Sequence, residues 1–162
     1  MERRQARGES HAMANSKLLR GRHSTPGACY VITSVTHRRR PLFRDPHIAR
    51  CVITEIDKAS VECMAWVVMP DHVHWMFVLG DIALGRVVQQ MKARSALAVQ
   101  AATGERGSLW QSGYYEHQLR GSEDLLMQAR YIVANPVRAK LVAGLSDYPF
   151  WWCRWIQTES DL

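Results

Sequence analysis

Hydrophobic periodicity divides the chain into a leader without it and a body with it. Residues 1–26 mix Arg, Gly, Ser and His with no apolar repeat, the composition of a flexible arm rather than of a packed element. From Ala28 to Thr36 the run is rich in β-branched and aromatic residues, which predicts a first strand closed by Arg38-Arg39-Arg40-Pro41. Asp45-Pro46 has the form of an N-cap with proline in the first turn, and Ile48, Cys51, Val52 and Ile56 then recur at helical spacing, so a helix follows. Val61 to Met69 and His72 to Leu79 are apolar strands broken by Pro70-Asp71, read as a hairpin or a tight bend. Leu84, Val88, Met91, Ser95 and Ala98 mark one face of a second helix that runs to about Ala102, while Arg86, Lys92 and Arg94 lie on its other face. After the turn-rich stretch Thr103–Ser108, Tyr114 to Arg120 reads as a fourth strand.

The order βαββαβ predicts an α+β fold of the ferredoxin-like, split-βαβ kind, an antiparallel sheet with both helices on one face. A further helix follows. Ser122 reads as its N-cap, with Glu123 and Asp124 in the first turn where carboxylates favour the helix dipole. Leu125, Leu126, Ala129, Ile132 and Val133 are its apolar positions, and Tyr131 and Asn135, four apart, share one face. Pro136 interrupts the backbone ladder, so the alternative is that Asn135 caps a short helix from Pro136 to Val142. The tail Tyr148 to Trp155, with five aromatic residues among eight, reads as a lid on the core. The expected organisation is a basic arm over 1–26, one domain over 27–155 and a short tail over 156–162.

Composition narrows the function classes. No apolar run reaches the roughly 20 residues of a membrane span, and the basic N-terminus lacks the apolar stretch of a secretory signal, so a cytoplasmic, non-membrane protein is expected. Cys29, Cys51, Cys63 and Cys153 have no C-x-x-C spacing, which argues against a zinc knuckle or a redox pair. The net charge of +6 is unevenly placed, since residues 1–44 carry ten Lys and Arg against only Glu2 and Glu9. A basic arm suits a phosphate backbone, because binding releases counterions; a solvated tail has the same composition. Arg20, Arg22, Arg38, Arg39 and Arg40 are the first candidates for gripping DNA phosphates, with Lys92 and Arg94 behind them.

The chemistry centres on His72 and His74. Alternate residues of a strand share a face, so the two imidazoles form a bidentate platform for a divalent metal, one that needs a third ligand from elsewhere. Asn135 is the first choice, since its helix face would deliver both a ligand and Tyr131. The same residue serves equally as a cap. Glu116 and His117 are runners-up, and as strand neighbours only one of them faces the site. Asp71 is near in sequence but sits where turn chemistry alone favours aspartate. An oxygen-containing set with open positions suits Mg2+ or Mn2+. If the Tyr131 hydroxyl reaches such a platform, it can attack a phosphodiester and form a covalent phosphotyrosine.

Met69-Pro70-Asp71-His72-Val73-His74, then Trp110-Gln111-x-x-Tyr114-Tyr115-Glu116-His117, then Tyr131-Ile132-Val133-Ala134-Asn135-Pro136-Val137 resembles the REP-associated tyrosine transposases. These belong to the HUH single-strand nucleases, named for His, a hydrophobic residue and His. Gly21-Arg22-x-Ser24-x-Pro26-Gly27-x-x-Tyr30-x-Ile32-Thr33 and Pro41-Leu42-Phe43 are similar to the same family, so the resemblance spans about residues 20–155. It implies a ferredoxin-like fold and metal-assisted cutting and rejoining of single-stranded DNA at hairpins from repetitive extragenic palindromes (REP) in bacteria. It also implies His72 and His74 as metal ligands, Tyr131 as nucleophile, Asn135 as a further metal contact, and a nucleoid-associated monomer or homodimer with no small-molecule cofactor. Asp71 departs from the Asn of many relatives, and the extension before Lys17 has no counterpart. Two other readings compete: a non-catalytic nucleic-acid-binding module of the same fold, and a metal-dependent hydrolase of a small phosphoester.

Overall fold

A computed structural model describes residues 24–120 and 124–161. Arg20, Arg22, Ser122, Glu123 and most of the basic arm lie outside the described residues. The described chain runs β1 (Cys29–Val35), α1 (Pro46–Asp57), β2 (Glu62–Met69), β3 (His72–Val78), α2 (Leu84–Thr103), β4 (Tyr115–Gln118), α3 (Leu125–Val133), α4 (Asn135–Arg138) and β5 (Trp151–Cys153). The expected βαββαβ order is therefore present, in one five-stranded sheet ordered β4-β1-β3-β2-β5. Every pairing is antiparallel.

Both faces of the sheet are covered, which explains why β2 reads as a nearly continuous apolar run instead of alternating. On one face Tyr30, Ile32, Trp66, Trp75 and Phe77 pack with Val52 and Ile56 of α1 and Val88 and Met91 of α2. On the other, Val31, Val67, Met69 and Met76 pack with Ala129, Ile132 and Val133 of α3. The two predicted helices share a face as expected, and the third covers the opposite one, lying mainly across β2.

Local signals account for most boundaries. Asp45 Oδ1 accepts from the His47 backbone N–H at 2.8 Å, the expected cap with proline in the first turn. Gly104, at φ +69°, ends α2 in the left-handed conformation that glycine adopts without strain. The N-cap of α3 is Asp124, whose Oδ1 accepts from the backbone N–H groups of Leu126 and Met127; sequence placed the cap at Ser122 and Asp124 inside the first turn. The short helix after α3 spans Asn135–Arg138, not Pro136 to Val142, and Asn135 begins it rather than capping it.

The aromatic tail also differs from expectation. Part of it forms the lid, with Phe150 buried against the helix-side core, but Trp151–Cys153 adds an edge strand to β2. Trp152 and Trp155 remain exposed. Among the described residues, no helix is long and apolar enough to cross a membrane.

Candidate active site

The turn between β2 and β3 fixes where the histidines begin. Its two carbonyls are taken up from elsewhere: Phe43 N–H donates to Pro70 O at 3.0 Å and Thr36 N–H to Asp71 O at 2.9 Å. Thr36 Oγ1 adds hydrogen bonds to Asp71 O and to Arg40 O. These contacts tie the turn to the segment between β1 and α1, where Arg38 and Arg39 both sit at positive φ, a conformation unusual for side chains larger than glycine.

His72 and His74 leave β3 on the face covered by α3. Their ring centroids are 4.8 Å apart with planes at 81°. Each ring is held through Nδ1: His72 by Asp71 Oδ1 at 2.6 Å and His74 by Thr33 Oγ1 at 2.7 Å. With Nδ1–H donating to those oxygens, each Nε2 carries a lone pair for a ligand. Burial, followed by the charges of His72 and Arg138, lowers the His74 pKa to about 4, so that imidazole is neutral, the form that binds metal, at ordinary pH. Burial pushes the Asp71 carboxyl up, but hydrogen bonding and charge from His72 and then Arg39 more than offset it, leaving it below the usual range. Arg39 Nη1 lies 3.2 Å from Asp71 Oδ2.

Tyr131 is more than half exposed, at 54%. On its helix it lies about 200° from Ala129 and Val133, which point into the sheet. Arg138 Nη2 donates to its hydroxyl at 2.9 Å, and the guanidinium carbon stands 3.8 Å from the ring centroid. Asn135 Nδ2 donates to the carbonyls of Tyr131 and Ile132 at 3.2 and 2.9 Å. Its amide nitrogen thus serves the end of α3, and Oδ1 is the atom left for a ligand.

The runners-up separate by face. His117 is paired with Val31 and Glu116 with Ile32, and opposed residues of an antiparallel pair share a face. His117 therefore stands on the histidine side. Glu116 stands on the α1/α2 side, where burial raises its pKa and its Oε2 has no hydrogen-bond partner; the period of the strand removes it as a ligand of the same ion. Among the described residues, no three His, Cys, Asp or Glu side chains cluster so as to hold a metal, so an ion at the histidine pair would need a donor of another type.

The cations also divide. Arg38, Arg39 and Arg40 sit on the exposed segment beside the Asp71 turn, with Arg40 Nη2 donating to Ser108 O at 3.4 Å. Arg94 is exposed on α2, on the far side of the sheet. Lys92 is not the surface grip expected from its helix position. Its ammonium donates to Gln111 O and Gly113 O at 2.7 and 2.6 Å, pinning the loop before β4, and burial lowers its pKa to about 8. It lines a cavity of about 420 Å3 with Trp110 and Tyr114, across the sheet from the histidines.

Sequence reading missed Thr33, Tyr115 and Arg138. Thr33 supports His74, and Tyr115 lies opposite Thr33 on the same face; both depend on strand register, which one sequence does not encode locally. Arg138 had a signal, since it follows Tyr131 by seven residues, two helical turns, but Pro136 obscured it.

The sequence matches the family described as "Transposase IS200 like" over residues 25–135, a span that ends at Asn135 and contains both histidines and Tyr131. A REP-associated tyrosine transposase of Escherichia coli K12 is 28% identical over 128 residues, which are 76% of this chain and 74% of that protein. In three dimensions the chain is similar to a REP-associated tyrosine transposase solved bound to a REP hairpin. That match has a TM-score of 0.64 and 27% identity, covering 80% of this chain and 79% of that one.

Proposed function

The chain belongs to the IS200-like transposase family, a family of enzymes, and from that premise we propose that it cuts and rejoins single-stranded DNA at REP-type hairpins through Tyr131. One observation carries the reading. Two histidines are locked by separate partners, Asp71 and Thr33, so that both Nε2 atoms serve one sheet face, and α3 covers that face while carrying Tyr131 on its exposed side. Both half-buried rings are held through Nδ1, the arrangement that fixes the tautomer of a metal-binding histidine and turns Nε2 toward the ligand.

His72 Nε2, His74 Nε2 and Asn135 Oδ1 are a donor set suited to Mg2+ or Mn2+ with open positions for substrate. Such an ion supplies positive charge against the phosphate oxygens. The Tyr131 oxygen attacks phosphorus and gives up its proton. The bond from phosphorus to the oxygen of the leaving strand breaks, and that oxygen takes up a proton as a free hydroxyl. Attack of another strand's hydroxyl on the phosphotyrosine reverses the step, restoring the tyrosine and rejoining DNA without an external energy source. Arg38, Arg39 and Arg40, with Arg20, Arg22 and Arg94 as further candidates, hold the strand through its phosphates. Lys92 is left out of this set because two of its three N–H groups donate to loop carbonyls and its ammonium is largely buried.

Labelled single-stranded hairpin DNA incubated with the protein and Mn2+ tests the reading. Denaturing electrophoresis should show a covalent protein–DNA species that chelator and Tyr131→Phe each abolish. Cleavage that persists in Tyr131→Phe, or turnover with no covalent species, would sink it.

A further inference from the structure

Arg138 is the side chain that rests on the candidate nucleophile. Backbone hydrogen bonds from Ala134 to Arg130 and from Arg138 to Ala134 carry the helical ladder across the proline, so seven residues bring Arg138 back onto the Tyr131 side of the helix. There it makes two contacts with that residue, the hydrogen bond to the hydroxyl at 2.9 Å and the stack on the ring at 3.8 Å. Among the described residues, no carboxylate forms an ion pair with it, and it lies exposed. An exposed arginine with no acidic partner, resting on a candidate nucleophile, has donors left for an anion. Its planar fork matches two phosphate oxygens at once.

We infer that Arg138 is a further functional residue of this site: its guanidinium holds the Tyr131 hydroxyl and binds the phosphate that the tyrosine attacks. The inference rests on the proposed role of Tyr131. Before attack the arginine restricts the phenol to one orientation; during attack its remaining N–H groups face the phosphate oxygens as charge gathers on them. A purely structural stack on an exposed ring predicts a small effect on stability and none that depends on guanidinium chemistry.

The test compares wild type, Arg138→Ala, Arg138→Lys and Tyr131→Phe in single-turnover adduct formation with labelled hairpin DNA and Mn2+, beside hairpin affinity and melting temperature. Arg138→Ala should form adduct about 100-fold more slowly, the loss expected for one donor aimed at developing charge. Hairpin affinity should change by less than about threefold, since many other phosphate contacts remain. Arg138→Lys should recover only part of the rate, because a point charge replaces a fork. Added guanidinium ion should speed Arg138→Ala and leave wild type and Tyr131→Phe unchanged. A rate for Arg138→Ala within about threefold of wild type, where a donor to developing charge is worth far more, overturns the inference while leaving the tyrosine reading intact. So does a slow variant that guanidinium fails to rescue and whose melting temperature has fallen. A wild type that forms no adduct overturns the reading and the inference with it.

Discussion

Removing the Asp71 carboxylate should weaken divalent-metal binding at His72 and His74. The carboxylate accepts from His72 Nδ1 at 2.6 Å, a short, charge-assisted hydrogen bond of the kind worth about 1.5–3 kcal/mol. Its side chain is 24% exposed, which places the value toward the lower end. At about 1.4 kcal/mol per tenfold, Asp71→Ala should raise the Mn2+ dissociation constant by roughly 10- to 30-fold, inside the range for groups that orient metal-bound histidines. Asp71→Asn keeps an oxygen that can accept from Nδ1–H, so it should lose the charge but hold the ring and cost about half as much in free energy. Arg39 gives the opposite sign. It pairs with the same carboxylate while 64% exposed, so Arg39→Ala should leave binding unchanged or tighten it by up to about threefold. Isothermal titration of metal-free protein with Mn2+ at fixed ionic strength reads all three, with melting temperature as a folding control. Unchanged Mn2+ affinity in Asp71→Ala, or equal losses in Asp71→Ala and Arg39→Ala, would refute the orienting role.

Lys92→Met keeps the packed stem but leaves the Gln111 and Gly113 carbonyls unpaired. Denaturant unfolding should show a loss of about 1–3 kcal/mol, while the salt dependence of DNA binding stays that of wild type; a flatter salt slope would restore Lys92 to the phosphate contacts. Arg38→Ala should flatten the salt slope of hairpin binding by about one unit, and an unchanged slope removes it from the interface. The Tyr148 hydroxyl donates to Val68 O at 2.6 Å, and burial raises its pKa from 10.0 to about 12. Its contribution to stability is full below pH 10 and is lost as pH rises toward 12, because the unfolded chain releases that proton first. Urea midpoints should therefore fall between these values by more in wild type than in Tyr148→Phe, and parallel curves would contradict the assignment.

Much of this was legible in local patterns. Period-two and period-3.6 spacing placed β1, α1, the β2–β3 hairpin, α2 and α3, since each element buries its own stripe. The histidine pair was equally plain, because two residues on one strand share a face wherever the strand lies. What failed to show was whatever depends on a partner element. The β5 strand arises from three tail residues pairing with β2, and an aromatic cluster has no period over so short a run. Asn135 was read as a ligand or as the cap of the following helix, whereas its amide nitrogen serves the end of α3, a contact that spacing alone does not show. Glu116 and His117 were correctly split to opposite faces by strand period, but which one faced the histidines waited on the register with Val31 and Ile32. Lys92 was misjudged because a charged residue on a polar helix face is normally solvated, whereas here a loop folds over it.

Mass spectrometry of the tryptic digest of the protein–DNA adduct addresses the role of Tyr131 most directly. Cleavage after Arg130 and Arg138 releases Tyr131–Arg138, in which Tyr131 is the sole tyrosine and no serine, threonine or cysteine is present. Attack by Tyr131 predicts that nucleotide mass is found on this peptide and fragments onto Tyr131. Nucleotide on the peptide holding Tyr114 and Tyr115, or a cut hairpin with every peptide unmodified, contradicts it.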